Sequence, residues 1–319
     1  MPRNVLTTRT GRTLTIVAAA AALAACGSGG ETAGSGTTTE AAETRTVEHA
    51  MGATEVPADV ERVVVLDTGE LDAVVSLGVT PVGAVTTDVS TSLVSYLEDE
   101  LAETEPVGTI GEPNLEAIAA LEPDLILSNT VRHEDLYDEF SAIAPTVFAG
   151  DVGDTWKETL RLAGDALGER EQADELIADY EARAADVGGA VTGGDPAGTE
   201  VSVVRFLPGQ IRLYGEASFI GTVLADAGFG RPAVQQVPET FVEVSAEQIS
   251  QADGDVVFTA VYGAPEDTAV ADVTGGELWN RLTAVQAGNA HEVSDDTWML
   301  GIGVTAANLV LNDIESILG

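Results

Sequence analysis

The stretch TWKETLRLAGDALGEREQADELIADYEARAADV, residues 155–187, decides how the rest of the chain is divided. Trp156, Thr159, Leu160, Ala163 and Leu167 recur at helical spacing. Beyond Gly168 the pattern resumes with Ala173, Leu176, Ile177, Tyr180, Ala184 and Val187. Intervals of three and four place these residues on one face of a helix. Glu and Arg fill the opposite face, Asp154 is the expected N-cap, and Gly188-Gly189 is the expected stop. Roughly twenty residues after Gly168, at about 1.5 Å each, make a rod of about 30 Å. Short strands alternating with helices precede the run and follow it. The pattern predicts a spine joining two α/β lobes; the competing reading is a long helix inside one domain.

The chain has 319 residues, enough for two domains of ordinary size. Its formal charge is −39, from 53 acidic and 14 basic residues, and Lys157 is the one lysine. Such acidity excludes nucleic acid as a partner, because a phosphate backbone needs a basic surface.

Arg3, Arg9 and Arg12 precede the apolar segment Thr13–Ala25, which is too short to span a bilayer. It ends Leu23-Ala24-Ala25-Cys26, which resembles a bacterial lipobox. The resemblance implies that Cys26 is lipidated and becomes the first residue of the mature chain. One cysteine excludes disulfides and clustered Cys-metal sites. Residues 26–45 are rich in Gly, Ser, Thr and Glu and read as a flexible tether. The expected division is a leader over 1–25, the tether over 26–45, a lobe over 46–150, the connecting helix over 151–190 and a second lobe over 191–319.

In the first lobe, Val63–Asp67, Val82–Val85 and Leu125–Leu127 read as strands, the β-branched runs as strands buried on both faces. Thr68 is expected to cap a helix running to Leu77, and Asn114 one running to Leu121. The second lobe has strands at Val201–Phe206, Ile211–Tyr214, Asp255–Val261 and His291–Val293. Helices are expected after Ser218, after Ser245, over Leu278–Leu282 and over Val304–Leu318. Alternating strands and helices predict mostly parallel sheets.

Asn114-Leu-Glu-Ala-Ile-Ala-Ala-Leu-Glu-Pro-Asp-Leu-Ile-Leu-Ser and Ser245-Ala-Glu-Gln-Ile-Ser-Gln-Ala-Asp-Gly-Asp-Val-Val-Phe-Thr align without gaps. This repeat puts Glu116 and Glu247 at equivalent points. A glutamate in a first helical turn is stabilised by the helix dipole by about 0.3–1 kcal/mol, but that does not require it at the same step twice. The other reading is a pair of acidic knobs for a two-fold symmetric partner with basic sockets.

The runs Val56-Pro-Ala-Asp-Val-Glu-Arg-Val-Val-Val-Leu66, Leu71–Gly83, Gly111–Ile126 and Leu278–Gly288 together resemble the periplasmic-binding-protein family of ferric-siderophore and cobalamin ABC importers. The likeness extends from about residue 46 to 319, and Val204–Gly215 resembles the iron-siderophore branch. It implies two Rossmann-like lobes joined by a single long α-helix, with the ligand cleft between the lobes. It further implies a ferric siderophore as ligand, iron being held through the chelator, and delivery to a permease dimer with its ATPase. On this reading Glu116 and Glu247 dock on permease arginines, the lipid at Cys26 holds the protein outside the cell membrane, and no cofactor or catalysis is involved. Cobalamin or haem is the alternative ligand.

In open α/β sheets, ligands bind beyond the carboxyl ends of the strands. That rule collects Thr68, Thr86, Thr87, Asn129, Thr130, Arg132, Arg205, Phe206, Tyr262 and Trp298. Arg132 and Arg205 are the expected ligand contacts, because guanidinium offers planar donors to an oxygen-rich chelate; the family places arginines at matching points. Tyr214, Tyr262 and Trp298 supply apolar area with a polar tip, and Phe241 is a further candidate. Arg212, Arg231 and Arg281 read as structural or surface residues. His49, His133 and His291 are too scattered for a metal site. Gly301-Ile-Gly303-Val-Thr-Ala306 matches a dinucleotide fingerprint, but too little chain follows to build the βαβ unit.

Overall fold

The computed structural model describes residues 43–319. The leader, Cys26 and the tether as far as residue 42 lie outside them. A hairpin comes first, β1 (Thr44–His49) with β2 (Gly52–Pro57). Thr44 and Arg45 fall in the stretch read as tether, yet Arg45 donates to the carbonyls of Ala166 and Ala58 at 2.7 and 2.5 Å. These long-range bonds fix the strand, and local composition could not reveal them.

The first sheet contains β3 (Val63–Val65), β4 (Gly83–Thr86), β5 (Glu105–Thr109), β6 (Leu125–Asn129) and β7 (Thr146–Ala149). Its order is β5-β4-β3-β6-β7 and all its pairings are parallel. Helices α1 (Thr68–Ser76), α2 (Leu115–Ala120), α3 (Thr130–His133) and α4 (Tyr137–Ser141) connect these strands. The cap of α1 is Asp67, not Thr68: Asp67 has an extended backbone and its carboxylate accepts from the Thr68 amide. Asn114 caps α2 as expected, accepting from Glu116 and Ala117.

The second sheet contains β8 (Val201–Leu207), β9 (Gln210–Tyr214), β10 (Phe241–Val244), β11 (Val256–Val261) and β12 (Ala290–Glu292), in the order β10-β9-β8-β11-β12. It is mixed: β8, β11 and β12 run parallel, while β9 is antiparallel to both its neighbours.

Between the sheets come α5 (Trp156–Leu167) and α6 (Arg170–Val191). The helical run is therefore two helices, parted where Gly168 turns left-handed at φ 82. Thr155, not Asp154, is at the N-cap position. The 22-residue α6 is the long connector, about 33 Å at 1.5 Å per residue. It buries Ala173, Ile177, Tyr180, Ala184 and Val187, the stripe the spacing predicts. It does not stop at Gly188-Gly189 but runs on to Val191. Gly188 is there for contact: a Cβ on it would come within 1.8 Å of the Ala227 carbonyl.

The second lobe is completed by α7 (Phe219–Asp226), α8 (Val270–Thr274), α9 (Thr283–Ala287) and α10 (Val304–Leu318). The segment expected to be a helix over Leu278–Leu282 is a 3-10 turn, Trp279–Arg281, and the repeat's second helix is a 3-10 turn over Ala246–Ala252. Among the described residues, no helix is long and apolar enough to cross a membrane.

Each sheet packs its outer face on a cluster of its own, around Phe140 and Phe148 in the first lobe and Phe206 and Trp279 in the second. The largest cluster is common to both: Val63 and Val65 join Val201, Val203 and Phe258 through α1, α5, α6, α7 and α10. The connector is thus embedded in a shared core. Its closest backbone approach gives a test. Gly188→Ala should cost about 1–3 kcal/mol of overpacking and lower the melting temperature by several degrees. Gly189→Ala, with nothing within 4 Å of the added Cβ, should gain about 0.5–1 kcal/mol of helix stability. Equal melting temperatures for the two variants would contradict the contact.

Candidate functional site

The carboxyl ends of β3, β5, β6 and β7 lead into Asp67 and Thr68, Ile110, Arg132 and the Asp151–Gly153 loop, all of which line one cleft. The other wall is built differently. Arg205 on β8, Arg212 and Tyr214 on β9 and Phe241 on β10 present a face of the sheet. The register sets this face, because Arg205 pairs with Arg212 and Tyr214 with Phe241. Alternation sends Val204, Phe206, Ile211 and Leu213 to the opposite face, where they are core. The cleft encloses about 330 Å³. It shares Asp151, Val152, Thr240 and Phe241 with an adjoining hollow of about 550 Å³.

Arg205 is held rigidly. Its Nε and Nη2 donate to the two carboxylate oxygens of Asp295 at 2.6 and 2.5 Å, and Nη1 donates to the Tyr214 hydroxyl at 3.1 Å. Its guanidinium lies 4.7 Å from the Tyr262 ring centroid. The pair is nearly dry, with side-chain exposures of 8% and 10%. Burial raises the Asp295 pKa, against the pull of Arg205.

Arg132 stands on the first lobe with its side chain 40% exposed, donating through Nε to Asp67 at 2.9 Å. Asn129 braces the same carboxylate at 3.0 Å and reaches Glu70 at 3.3 Å. Burial, and then the charge of Asp67, push the Glu70 pKa up to about 8. Arg212 donates Nε and Nη2 to the side-chain oxygen of Gln210 at 2.9 and 2.6 Å and stacks 4.0 Å from the Phe241 centroid.

Of the residues expected at the site, Thr68, Arg132, Arg205, Tyr214, Phe241 and Trp298 line the cleft. Trp298 is fully buried there and turns its indole N–H away, to Asp313 at 2.8 Å, so it forms floor and offers no polar tip. Tyr262 backs the Arg205 guanidinium from outside the lining. Arg212 reads as structural or surface from the sequence, yet it lines the cleft. Its one sequence signal is the two-residue step to Tyr214, which puts both on one face of a strand. Arg231 is buried behind the wall, on the carbonyls of Val201 and Tyr214. His133 is buried between Ser128 and the Ile110 carbonyl, and burial lowers its pKa. Among the described residues, no group of three or more His, Cys, Asp or Glu is arranged to hold a metal ion.

Glu116 and Glu247 are both exposed, each at the start of the short helical turn that precedes a central strand of its sheet, β6 or β11. A hydrogen bond from Ser245 lowers the Glu247 pKa.

The buried acid beside Asp67 and Asn129 sets a pH dependence. Glu70 titrates higher when folded than when unfolded, so its contribution to stability is full below about pH 4.5 and is lost as pH rises through about 8. Melting curves of the protein and of Glu70→Gln should agree near pH 4.5 and diverge as pH rises, with the variant the more stable by pH 8.5. Parallel curves would place the carboxylate in water.

The family profile described as periplasmic binding protein matches residues 63–296. The probable siderophore-binding lipoprotein YfiY of Bacillus subtilis is 41% identical over 306 residues, covering 92% of this chain and 93% of that protein. The achromobactin-binding periplasmic protein of Dickeya dadantii is 31% identical over 268 residues, covering 81% and 87%. The crystal structure of Staphylococcus aureus SirA complexed with staphyloferrin B superposes with a TM-score of 0.78 at 32% identity, over 86% of this chain and 98% of that one. With its two α/β sheets and long connecting helix, the chain belongs to the periplasmic binding protein family.

Proposed function

We propose that this protein is the substrate-binding component of an ABC importer, capturing a ferric siderophore outside the cell membrane and handing it to the permease. The observation that carries the reading is the cleft: Arg132, Arg205 and Arg212 face it from two lobes of a chain with charge −39. Guanidinium groups over aromatic rings suit a large, oxygen-rich chelate, and the adjoining hollow makes room for one. The names of the relatives favour a siderophore over cobalamin or haem. The iron is cargo held by its chelator, and the protein binds without turning the ligand over. Arg132 and Tyr214 contact the ligand, Trp298 floors its site, and Tyr262 supports Arg205 from behind. Lipid at Cys26 anchors the chain, through the tether, on the extracytoplasmic face.

Glu116 and Glu247 meet basic sockets on a permease dimer. Their equivalent places in the two lobes support this role, because a two-fold partner asks for one acid from each. The shared core further favours a small closure of the lobes on binding.

Tryptophan fluorescence should saturate with a ferric siderophore at one per chain, and Arg205→Ala should weaken binding by at least tenfold, about 1.4 kcal/mol. No saturable response to a panel of ferric siderophores, with a response to cobalamin or hemin, would overturn the reading. In cells, Glu116→Ala with Glu247→Ala should leave binding intact and abolish uptake of the labelled iron complex. Uptake at the parental rate would remove the two glutamates from docking.

A further inference from the structure

Two acids and one arginine meet under the first-lobe wall. Asp67, the cap of α1, and Glu70, at the start of the same helix, are both buried, and both reach one side-chain amide. Asn129 Nδ2 donates to Asp67 at 3.0 Å and to the two carboxyl oxygens of Glu70 at 3.3 and 3.4 Å. Asp67 is well served: the Thr68 amide reaches it at 2.8 Å and Arg132 Nε at 2.9 Å. Glu70 is not. Among the described residues no other side chain donates to it, and no cation lies within ion-pair distance.

Where two buried carboxylates share one amide, the worse-solvated one keeps its proton. Burial first, and then Asp67, push the Glu70 carboxyl up to about 8. The charged groups around it are Asp67 from the start of α1 and Arg132 from α3; Asp88, in the loop after β4, acts on Arg132. Asp72, two residues on, is turned to the amides of α10, and burial lowers the pKa of His133 beside Arg132.

The proton changes what Arg132 presents to the cleft. With Glu70 protonated, Arg132 and Asp67 balance one for one. With Glu70 ionised, the cluster carries one net negative charge beneath the same guanidinium, in a buried place where screening is weak. Arg132 lines the cleft with its side chain 40% exposed, so an anionic ligand meets that difference directly.

We infer that Glu70 is a positioning residue acting through Arg132, and that the cleft binds an anionic ferric chelate and the Glu70 proton together. Linkage makes the coupling reciprocal: the chelate holds the proton on Glu70 by the factor by which the proton strengthens the chelate. Losing that proton loosens the ligand without any movement of the lobes. The inference rests on the ferric-chelate reading of the cleft.

The test titrates the whole protein and Glu70→Gln, an uncharged side chain of the same size, with ferric citrate and with a ferric tris-catecholate. Titrations run from about pH 6.5 to about pH 9, across the Glu70 midpoint. Parent and variant are compared at each pH, so protonation of the chelator cancels. The variant's affinity relative to the parent's should rise about threefold or more over that range. A second measurement needs no variant. In the parent, isotope-labelled at its glutamate carboxyl carbons, one resonance should titrate near pH 8, and the diamagnetic gallium complex of the bound chelator should move that midpoint up. An affinity ratio independent of pH, or a midpoint that the ligand leaves in place, would overturn the role of Glu70 alone. Failure of both ferric chelates to bind at any pH would overturn the ferric-chelate reading for anionic ligands, whatever the glutamate resonance does.

Discussion

The buried carboxylate of Asp72 ties the last helix to the first lobe. It accepts the amides of Thr305 and Ala306, at 3.0 Å each, and the hydroxyl of Tyr96, also at 3.0 Å. The amides belong to the free N-terminus of α10, where donors are unpaired and the dipole is positive. Burial still raises the acid to a pKa of about 6, so it is mostly ionised at neutral pH and needs all three donors. Gly303 follows from this bond, because a Cβ there would lie 2.3 Å from the Asp72 carboxylate. Gly301 would likewise place a Cβ 2.5 Å from that of Ala306. The glycine pattern that resembles a dinucleotide fingerprint is therefore the imprint of a helix docked on a carboxylate.

With α10 held on α1 and packed along α6, the lobes share one apolar cluster. Sliding them apart would expose apolar surface at about 25 cal/mol per Å². The two cleft walls are thus built on one shared core. Rigid walls suit a rigid metal chelate, since little ordering cost is left for the binding step.

The two walls use different devices. The first lobe offers strand ends and a helix start, with Asp67, Glu70 and Asn129 gathered beneath Arg132. The second offers the face of an antiparallel edge, where Arg205, Arg212, Tyr214 and Phe241 lie side by side. In a chain with so many acids, most cations could have been neutralised. Among the described residues Arg212 has no ion-pair partner; the neutral oxygen of Gln210 holds it instead.

Much of the fold was legible in local pattern. The stripe from Ala173 to Val187, the valine runs of the parallel strands, and the caps at Asn114 and Ser218 rest on spacing and on bonds that span a few residues. The repeat that pairs Glu116 with Glu247 was equally legible, because it is a property of the string. Arg132 and Arg205 came from the strand-end rule together with family likeness. Other features were decided by contacts between residues far apart in the chain: the hairpin beginning at Thr44 by Arg45 on Ala166, the run of α6 through Gly188 by the carbonyl of Ala227, and the inward turn of Trp298 by Asp313. Arg212 reads as structural from sequence because only the tertiary pairing of β9 with β8 and β10 puts it beside Arg205 and Phe241. The sequence by itself determined the elements and the two-lobed plan, since periodicity and capping act within one or two turns. Tertiary structure alone decided which charged residues meet in the cleft and which acids pair with its arginines, since ion pairing depends on which groups the folded chain brings within reach.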